Sequence, residues 1–267
     1  MSLSGMRLRV LSALVLAIPA LVIVYLGPPV FDLAFGAVGV LMALEWDRLC
    51  GGARRDAATW LLVATVAGIT AVTLAVSHEA ALLAAAAGFV IVLVSARGRR
   101  PSPLLAASGA LYIGVPLVAL FWLRGEPTHG LLTILWLLAI VWSTDTGALI
   151  VGRTIGGPKL APTISPNKTW SGFFGGLAAA ALVSAVTAAL VKVPLLPVIG
   201  VGLLLSVVAQ AGDLLESKVK RHLHVKDSGD LIPGHGGLFD RVDALLAAAP
   251  ALALLYGMSD RGAFLWR

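Results

Sequence analysis

The sequence is poor in charged residues, in cysteine and in aromatic residues. Only 13% of its 267 residues are charged and 58% are hydrophobic, whereas soluble domains carry about 25% charged residues. A soluble globule of this length could not bury so much apolar surface, so most of the chain is expected to face lipid. The same composition excludes intrinsic disorder. The single cysteine, Cys50, excludes a fold held by internal disulfides and is expected to be a passive thiol.

Nine apolar runs divide the chain, each bounded by charge, glycine or proline. A bilayer core about 30 Å thick takes roughly 20 helical residues to cross, and the runs lack the alternation of a membrane β-strand. We therefore predict an all-α, polytopic integral membrane protein with about nine transmembrane helices, forming a single domain over 1–267. The predicted spans are 8–26, 30–44, 57–76, 80–95, 104–123, 131–151, 172–191, 194–211 and 244–258.

The lysines and arginines are unevenly distributed between the loops on the two sides of the membrane. If the N-terminus is cytoplasmic, the inner segments hold 16 of the 20 Lys and Arg residues and the outer segments hold 4. Cytoplasmic loops are enriched in these residues, which predicts a cytoplasmic N-terminus and a multi-pass protein of the plasma (inner) membrane. The net charge of +6 then reflects topology, and no nucleic-acid partner is expected.

Acidic residues and lysines collect in the second half of the chain. No Asp or Glu occurs from 146 to 212, six fall from Asp213 to Asp243, and all six lysines lie at or after position 159. We therefore predict that 131–267 is the catalytic part and that 1–130 is a helical scaffold. Asp145 lies within an apolar run, where an ionisable residue is costly and is a functional candidate by default. The alternative is a local pair with Arg153 at the interface.

The loop 159–170 precedes the Gly-rich start of the seventh run. It combines hydroxyls and lysines, among them Ser165, Lys168 and Thr169, with the N-terminus of a helix. The free N–H groups and the dipole of a helix N-terminus favour an anion, so the loop is compatible with a phosphate cradle, although it lacks the P-loop spacing. The alternative is an inner loop in which Ser165 or Thr169 caps the helix.

The densest polar pattern begins at the end of the eighth run. If that span continues as a helix beyond the membrane, Asp213, Glu216 and Lys220 lie on one helical face. Asp240 and Asp243 are three residues apart at the start of the last span. Two helix ends that carry carboxylates can hold one magnesium ion together with substrate phosphates. The alternative is a solvated loop with an intrahelical pair such as Glu216 with Lys220.

One stretch resembles the signature of a known family. Residues 217–243 read S-x-V-K-R-x4-K-D-x-G-x2-I-P-x-H-G-G-L-x-D-R-V-D, which closely resembles the signature of the phosphatidate cytidylyltransferases, also called CDP-diacylglycerol synthases. The resemblance extends to 212–217, to the loop 165–170 and to 145–148. It implies that phosphatidic acid and CTP react to give CDP-diacylglycerol and pyrophosphate with Mg²⁺ as cofactor. It also implies a homodimer and a monovalent cation such as K⁺ beside the Mg²⁺.

The resemblance further implies roles for individual residues. Asp213 and Asp240 are the first candidates for metal ligands, followed by Asp243 and Glu216. The residues predicted to act in catalysis are Asp213, Asp240, Asp243, Lys220, Arg221 and His235. The residues predicted to contact the substrates and their phosphates are Asp145, Ser165, Lys168, Thr169, Ser217, Lys218, Lys226, Asp227 and Arg241, together with Lys220 and Arg221.

The chain departs from the family pattern at two places. The turn 154–158 reads Thr-Ile-Gly-Gly-Pro in place of an aromatic-Gly-Lys turn, and Ser171 stands where Gln or Glu is expected.

Two other functions compete with the cytidylyltransferase. A CTP-dependent polyprenol or phytol kinase would share the handling of metal and nucleotide. An ion-coupled transporter would use the acidic residues as a cation or proton path. His235 is either a hydrogen-bonded turn residue or a proton relay.

Overall fold

A computed structural model describes residues 17–52, 56–229, 236–259 and 263–266. Nearly all of the regular structure is helical. The helices are α1 (Ala17–Leu26), α2 (Val30–Leu49), α3 (Ala57–Ala75), α4 (His78–Ala96), α5 (Pro103–Gly125), α6 (Gly130–Ile155), α7 (Trp170–Val191), α8 (Leu195–His222), α9 (Phe239–Met258) and α10 (Ala263–Trp266). Two short strands, β1 (Lys159–Ala161) and β2 (Ser165–Thr169), lie between α6 and α7.

The predicted apolar runs all correspond to helices. Each of the nine runs lies in one of α1–α9 apart from at most one residue at a described end, and the first run begins outside the described residues. Seven helices in the described part, α3–α9, are long and apolar enough to cross a membrane. Helix α2 carries four charged residues, Asp32, Glu45, Asp47 and Arg48, and α1 is a shorter apolar helix. The chain is therefore a polytopic membrane protein built from helices.

The segment predicted as an irregular loop between α6 and α7 contains a small antiparallel hairpin. Lys159 pairs with Thr169, and Ala161 pairs with Ser165. Both Ala161 and Ser165 precede a proline, which disfavours the helical region and pushes the residue before it toward an extended conformation. The Ile164 amide donates to the Ala161 carbonyl at 3.2 Å, which closes the turn. The hairpin gives the loop a defined geometry just before α7.

The described helices form two compact units. The first comprises Met1–Leu131 and Asp227–Arg241, and the second comprises Leu132–Lys226 and Val242–Arg267, so the division falls within α9. In the first unit, helices approach closely at small residues: a Cβ added at Gly36 would lie 2.4 Å from the Thr70 hydroxyl, and one at Gly88 would lie 2.0 Å from the Thr65 methyl. Close packing at small residues is the usual basis of helix association in lipid.

A buried ion-pair network joins the end of α2, the start of α3 and the segment after α4 in the first unit. Arg100, which is 8% exposed, donates to Asp47 at 2.8 Å, to Asp56 at 2.8 Å and to Thr59 at 3.1 Å. The hydrogen bond from Arg100 lowers the pKa of Asp56 below its usual range. Beside this network, burial raises the pKa of the Cys50 thiol to about 12. The thiol therefore stays protonated at neutral pH, as expected for a passive cysteine.

Replacement of Arg100 with Ala is expected to destabilise the first unit by about 3–5 kcal/mol, because it leaves the buried Asp47 carboxylate without its cation. Thermal unfolding in detergent measures the loss. Arg99→Ala is the control, since exposed Arg99 donates, among the described residues, only to the Ser95 carbonyl near the end of α4. Equal Tm values for the two variants would contradict this account.

The ion pair of Arg100 with Asp56 also makes the stability depend on pH. Because the folded pKa of Asp56 is lowered, the stabilising contribution of the Asp56 carboxylate is present above the unfolded pKa of about 4. It is lost as the pH falls through the folded value.

Candidate active site

Three carboxylates converge in the second unit. One oxygen from each of Asp213, Glu216 and Asp243 lies within 4.8 Å of the others. Helix α8 runs unbroken from Leu195 to His222, which confirms the predicted continuation and puts Asp213 and Glu216 on one face. Glu216 is buried, and the other two are half-buried. Three hard oxygen donors, without sulfur or nitrogen among them, fit a magnesium ion.

A glycine allows the two helices that carry these carboxylates to approach each other. A Cβ added at Gly212 would lie 2.5 Å from the Cβ of Ala247 and 3.2 Å from the carbonyl oxygen of Asp243. Since real Cβ atoms do not approach a carbon at 2.5 Å, any larger residue at position 212 must push α8 away from α9. Gly212 therefore sets the spacing between Asp213 and Asp243.

Replacement of Gly212 with Ala is expected to reduce activity by at least about tenfold and to cost about 1–3 kcal/mol of stability through overpacking. The matched control is Gly200→Ala in the same helix, because a Cβ at Gly200 would meet nothing within 4 Å. Initial rates and thermal unfolding measure the two effects. Equal rates for the two variants would show that the spacing of α8 and α9 does not matter.

Lysines neutralise part of the carboxylate cluster. Lys168, on β2, forms an ion pair with Asp213, and Lys220 pairs with Glu216 at 3.1 Å within α8. The predicted intrahelical pair of Glu216 with Lys220 is thus present. The side chains of Lys168 and Asp213 are 26% and 28% exposed, so this part of the cluster is open to a ligand. Ammonium groups placed here can turn to phosphate oxygens when an anion arrives.

Asp145 lies near this cluster, on α6. Its side chain is exposed, and the charges of Asp213 and Lys168 act on its carboxylate. Among the described residues it forms no ion pair with Arg153, the alternative partner. Helix α6 reaches this position because it crosses α7 closely, where a Cβ added at Gly147 would lie 2.7 Å from the Gly175 carbonyl oxygen.

The two departures from the family pattern are in direct contact. The Ser171 hydroxyl donates to the Gly156 carbonyl, which joins the start of α7 to the turn after α6. Gly156 and Gly157 have φ angles of +67° and +99°, a region that favours glycine. Thr169 is the N-cap of α7 and accepts from the Gly172 amide at 3.1 Å. The hydroxyl of Thr169 is therefore engaged in capping, as the alternative interpretation of this loop proposed.

The remaining predicted residues are placed as follows. Ser217 donates to Asp213 at 3.5 Å, and Ser165 is half-buried in β2. Arg221 donates to the Ile164 carbonyl at 3.4 Å, so it links α8 to the hairpin turn. His235 lies outside the described residues. The side chains exposed to solvent are those of Lys218, Arg221, Lys226, Asp227 and Arg241.

Asp240 belongs to the first unit and has different partners from the cluster. One of its carboxylate oxygens, Oδ2, accepts from the amide and the hydroxyl of Ser228, both at 3.0 Å, and from the Gly237 amide at 2.9 Å. The structure thus brings Asp243 and Glu216 together with Asp213 and gives Asp240 a set of hydrogen bonds within the signature segment. Metal ligation by Asp240 stays a prediction.

Among the residues that contact the signature and that the sequence analysis did not single out is a buried carboxylate. Glu45, on α2, is 2% exposed and accepts hydrogen bonds from the amides of Leu238 and Phe239. It marked the end of the second apolar run and was assigned to the scaffold. The signal that could have found it is the one that singled out Asp145, namely a carboxylate adjoining a long apolar segment.

Comparison with known proteins confirms the resemblance. The cytidylyltransferase family model matches residues 7–259. The phosphatidate cytidylyltransferase of Brucella suis biovar 1 (strain 1330) is 43% identical over 269 residues, which cover 96% of this chain and 94% of that protein. The protein of the same name from Bacillus subtilis (strain 168) is 42% identical over 151 residues, which cover 56% of each chain. The chain therefore belongs to the cytidylyltransferase family.

Proposed function

We propose that this family member transfers the cytidylyl group of CTP to phosphatidic acid, giving CDP-diacylglycerol and pyrophosphate, as the name of its relatives implies. The observation that carries the proposal is the cluster of Asp213, Glu216 and Asp243 with Lys168 and Lys220 beside it. A reaction between two polyanions needs countercharge that keeps their phosphates together. The cluster offers carboxylates for a divalent cation and ammonium groups for phosphate in one place.

In the proposed reaction an oxygen of the phosphatidic acid phosphate attacks the α-phosphorus of CTP, and the bond from that phosphorus to the bridging oxygen of pyrophosphate breaks. The lipid phosphate is already ionised near neutral pH, so no side chain has to act as a covalent nucleophile. Asp213, Glu216 and Asp243 would hold Mg²⁺, which supplies charge neutralisation at the phosphoryl oxygens when it is bound. Lys168 and Lys220 would neutralise the departing pyrophosphate and orient the nucleotide.

The surroundings of the site follow from the charge distribution and from the family. The excess of Lys and Arg in alternate loops supports a cytoplasmic N-terminus and a site on the cytoplasmic face of the plasma membrane. CTP is available on that face, and the head group of phosphatidic acid reaches the same depth from the inner leaflet. A homodimer, and a K⁺ ion beside the Mg²⁺, belong to the proposal on the resemblance alone.

Product analysis with labelled nucleotide tests the reaction. The purified protein in detergent is incubated with phosphatidic acid, Mg²⁺ and CTP labelled at either the α or the γ phosphate. We expect the α label in lipid and the γ label in pyrophosphate. Transfer of the γ label to a lipid alcohol would identify a lipid kinase instead. If neither label moved for any lipid offered, the enzymatic proposal would be rejected in favour of a transporter.

A further inference from the structure

Glu45 meets the start of α9 as a helix cap supplied by a distant part of the chain. Its Oε1 accepts from the Leu238 amide at 3.1 Å, and its Oε2 accepts from the Phe239 amide at 2.9 Å. The leading amides of a helix have no partner within the helix, and a carboxylate there is favoured by hydrogen bonding and by the helix dipole. Glu45 therefore satisfies the backbone of α9 where the helix begins.

The glycines of the signature leave room for this carboxylate. A Cβ added at Gly229 would lie 2.3 Å from the Glu45 Oε1, and one at Gly237 would lie 2.0 Å from the same atom. Asp240 accepts from Ser228 and Gly237 beside them. Glu45 and Asp240 thus contact both of two described stretches of the signature, 227–229 and 236–240.

An aromatic pocket holds the side chain at the same position. Phe239 is fully buried. Its ring centroid lies 5.5 Å from that of Trp46 and 5.9 Å from that of Tyr112, and the Phe239 and Tyr112 rings are parallel within 3°. Trp46 is itself oriented by a hydrogen bond from its indole to the Leu105 carbonyl at 3.0 Å. The backbone and the side chain of Phe239 are therefore both held by residues of the first half of the chain.

We propose that Glu45 is a positioning residue for cytidylyl transfer. By holding the first turn of α9, it sets the rotation and the axial position of the helix that carries Asp240 and Asp243. A displacement of about 1 Å at a reacting centre can cost roughly a hundredfold in rate, so a small shift of this helix is expected to matter. The inference rests on the proposed metal role of the carboxylates of α9.

The test compares Glu45→Gln with a matched control, Glu126→Gln. Glu126 also accepts from two backbone amides, those of Thr128 and His129, just before α6 begins. For Glu45→Gln we expect a fall in kcat of roughly a hundredfold with KM for CTP within about twofold. Binding of Mn²⁺, followed by electron paramagnetic resonance without substrate, is expected to weaken by about tenfold. Glu126→Gln is expected to leave each quantity within about twofold.

Two further measurements separate positioning from general structure. Hydrogen exchange of the segment 236–241 is expected to accelerate in Glu45→Gln, since the amide introduces a donor against the Leu238 and Phe239 amides. Glu45→Asp keeps the charge on a shorter side chain and is expected to recover part of the kcat and of the Mn²⁺ affinity; it also carries the comparison if Glu45→Gln does not fold. Wild-type kcat and Mn²⁺ affinity in a Glu45 variant with faster exchange would overturn the proposal. If the wild type itself did not bind Mn²⁺ and its activity did not depend on a divalent cation, the proposed metal site would be rejected instead.

Discussion

Replacement of Asp213 with Asn is expected to lower turnover roughly a thousandfold, equivalent to about 4 kcal/mol of transition-state stabilisation. Asp213 contacts Lys168 and Ser217 and contributes an oxygen to the cluster with Glu216 and Asp243. The amide removes the charge and one acceptor oxygen while it preserves the shape of the side chain. The ion pair lost with Lys168 is partly exposed, so the expected cost in stability is only about 0–1 kcal/mol.

Three measurements check this result: initial rates, the Mg²⁺ concentration at half-maximal rate, and Mn²⁺ binding in the absence of substrate. Glu79→Gln is the control, because Glu79 is an exposed carboxylate in the first turn of α4. Asp213→Asn should bind Mn²⁺ far more weakly than the wild type, whereas Glu79→Gln should match it. A variant at Asp213 that kept more than about a tenth of the rate, with the same Mg²⁺ dependence, would remove Asp213 from the proposed site.

Replacement of Lys168 with Met is expected to lower kcat by roughly a hundredfold and to leave metal binding intact or tighter. In the structure Lys168 is paired with Asp213, so the ammonium group competes with a cation for the same carboxylate. Its removal frees Asp213 for the metal but takes away a countercharge for phosphate, which is worth about 3 kcal/mol if the loss is a hundredfold. The two effects have opposite signs, which makes this variant informative.

Parallel measurement of kcat and of Mn²⁺ affinity distinguishes the two roles of Lys168. The control is Lys192→Met, at the exposed C-cap of α7, which should change neither quantity. If Mn²⁺ affinity fell together with kcat, Lys168 would act by holding Asp213 in place, and its assignment as a phosphate contact would be wrong.

The helices were predictable because the bilayer imposes a length and a uniform apolarity on each span. Their ends were less predictable, as α2 illustrates. The second apolar run ends at 44, yet α2 continues to Leu49 through Glu45, Asp47 and Arg48. Two of those charges are buried because Arg100 pairs with Asp47 and the α9 amides bind Glu45. A hydropathy pattern records the cost of burying a charge and contains no trace of the partner that offsets it.

The sequence predicted that carboxylates of two helix ends come together, but it did not distinguish the member of the cluster, Asp243, from its neighbour Asp240. Asp240 and Asp243 are three residues apart, so helical periodicity puts both on nearly the same face and cannot rank them. Tertiary contacts distinguish them, since Ser228 and Gly237 donate to Asp240 while Asp243 lies with Asp213 and Glu216.

Hydropathy and a contiguous signature are local properties of the chain, so the helical membrane class and the family were predictable from the sequence alone; that the chemistry belongs to 131–267 stays a prediction. The packing of the helices was needed to identify which carboxylates converge, which lysine faces Asp213, and the capping of a helix start by Glu45, 193 residues away. Such contacts depend on how closely remote segments approach at residues such as Gly212 and Gly237. Distances between remote segments leave no periodic pattern in a single sequence, so they had to be read from the packed helices.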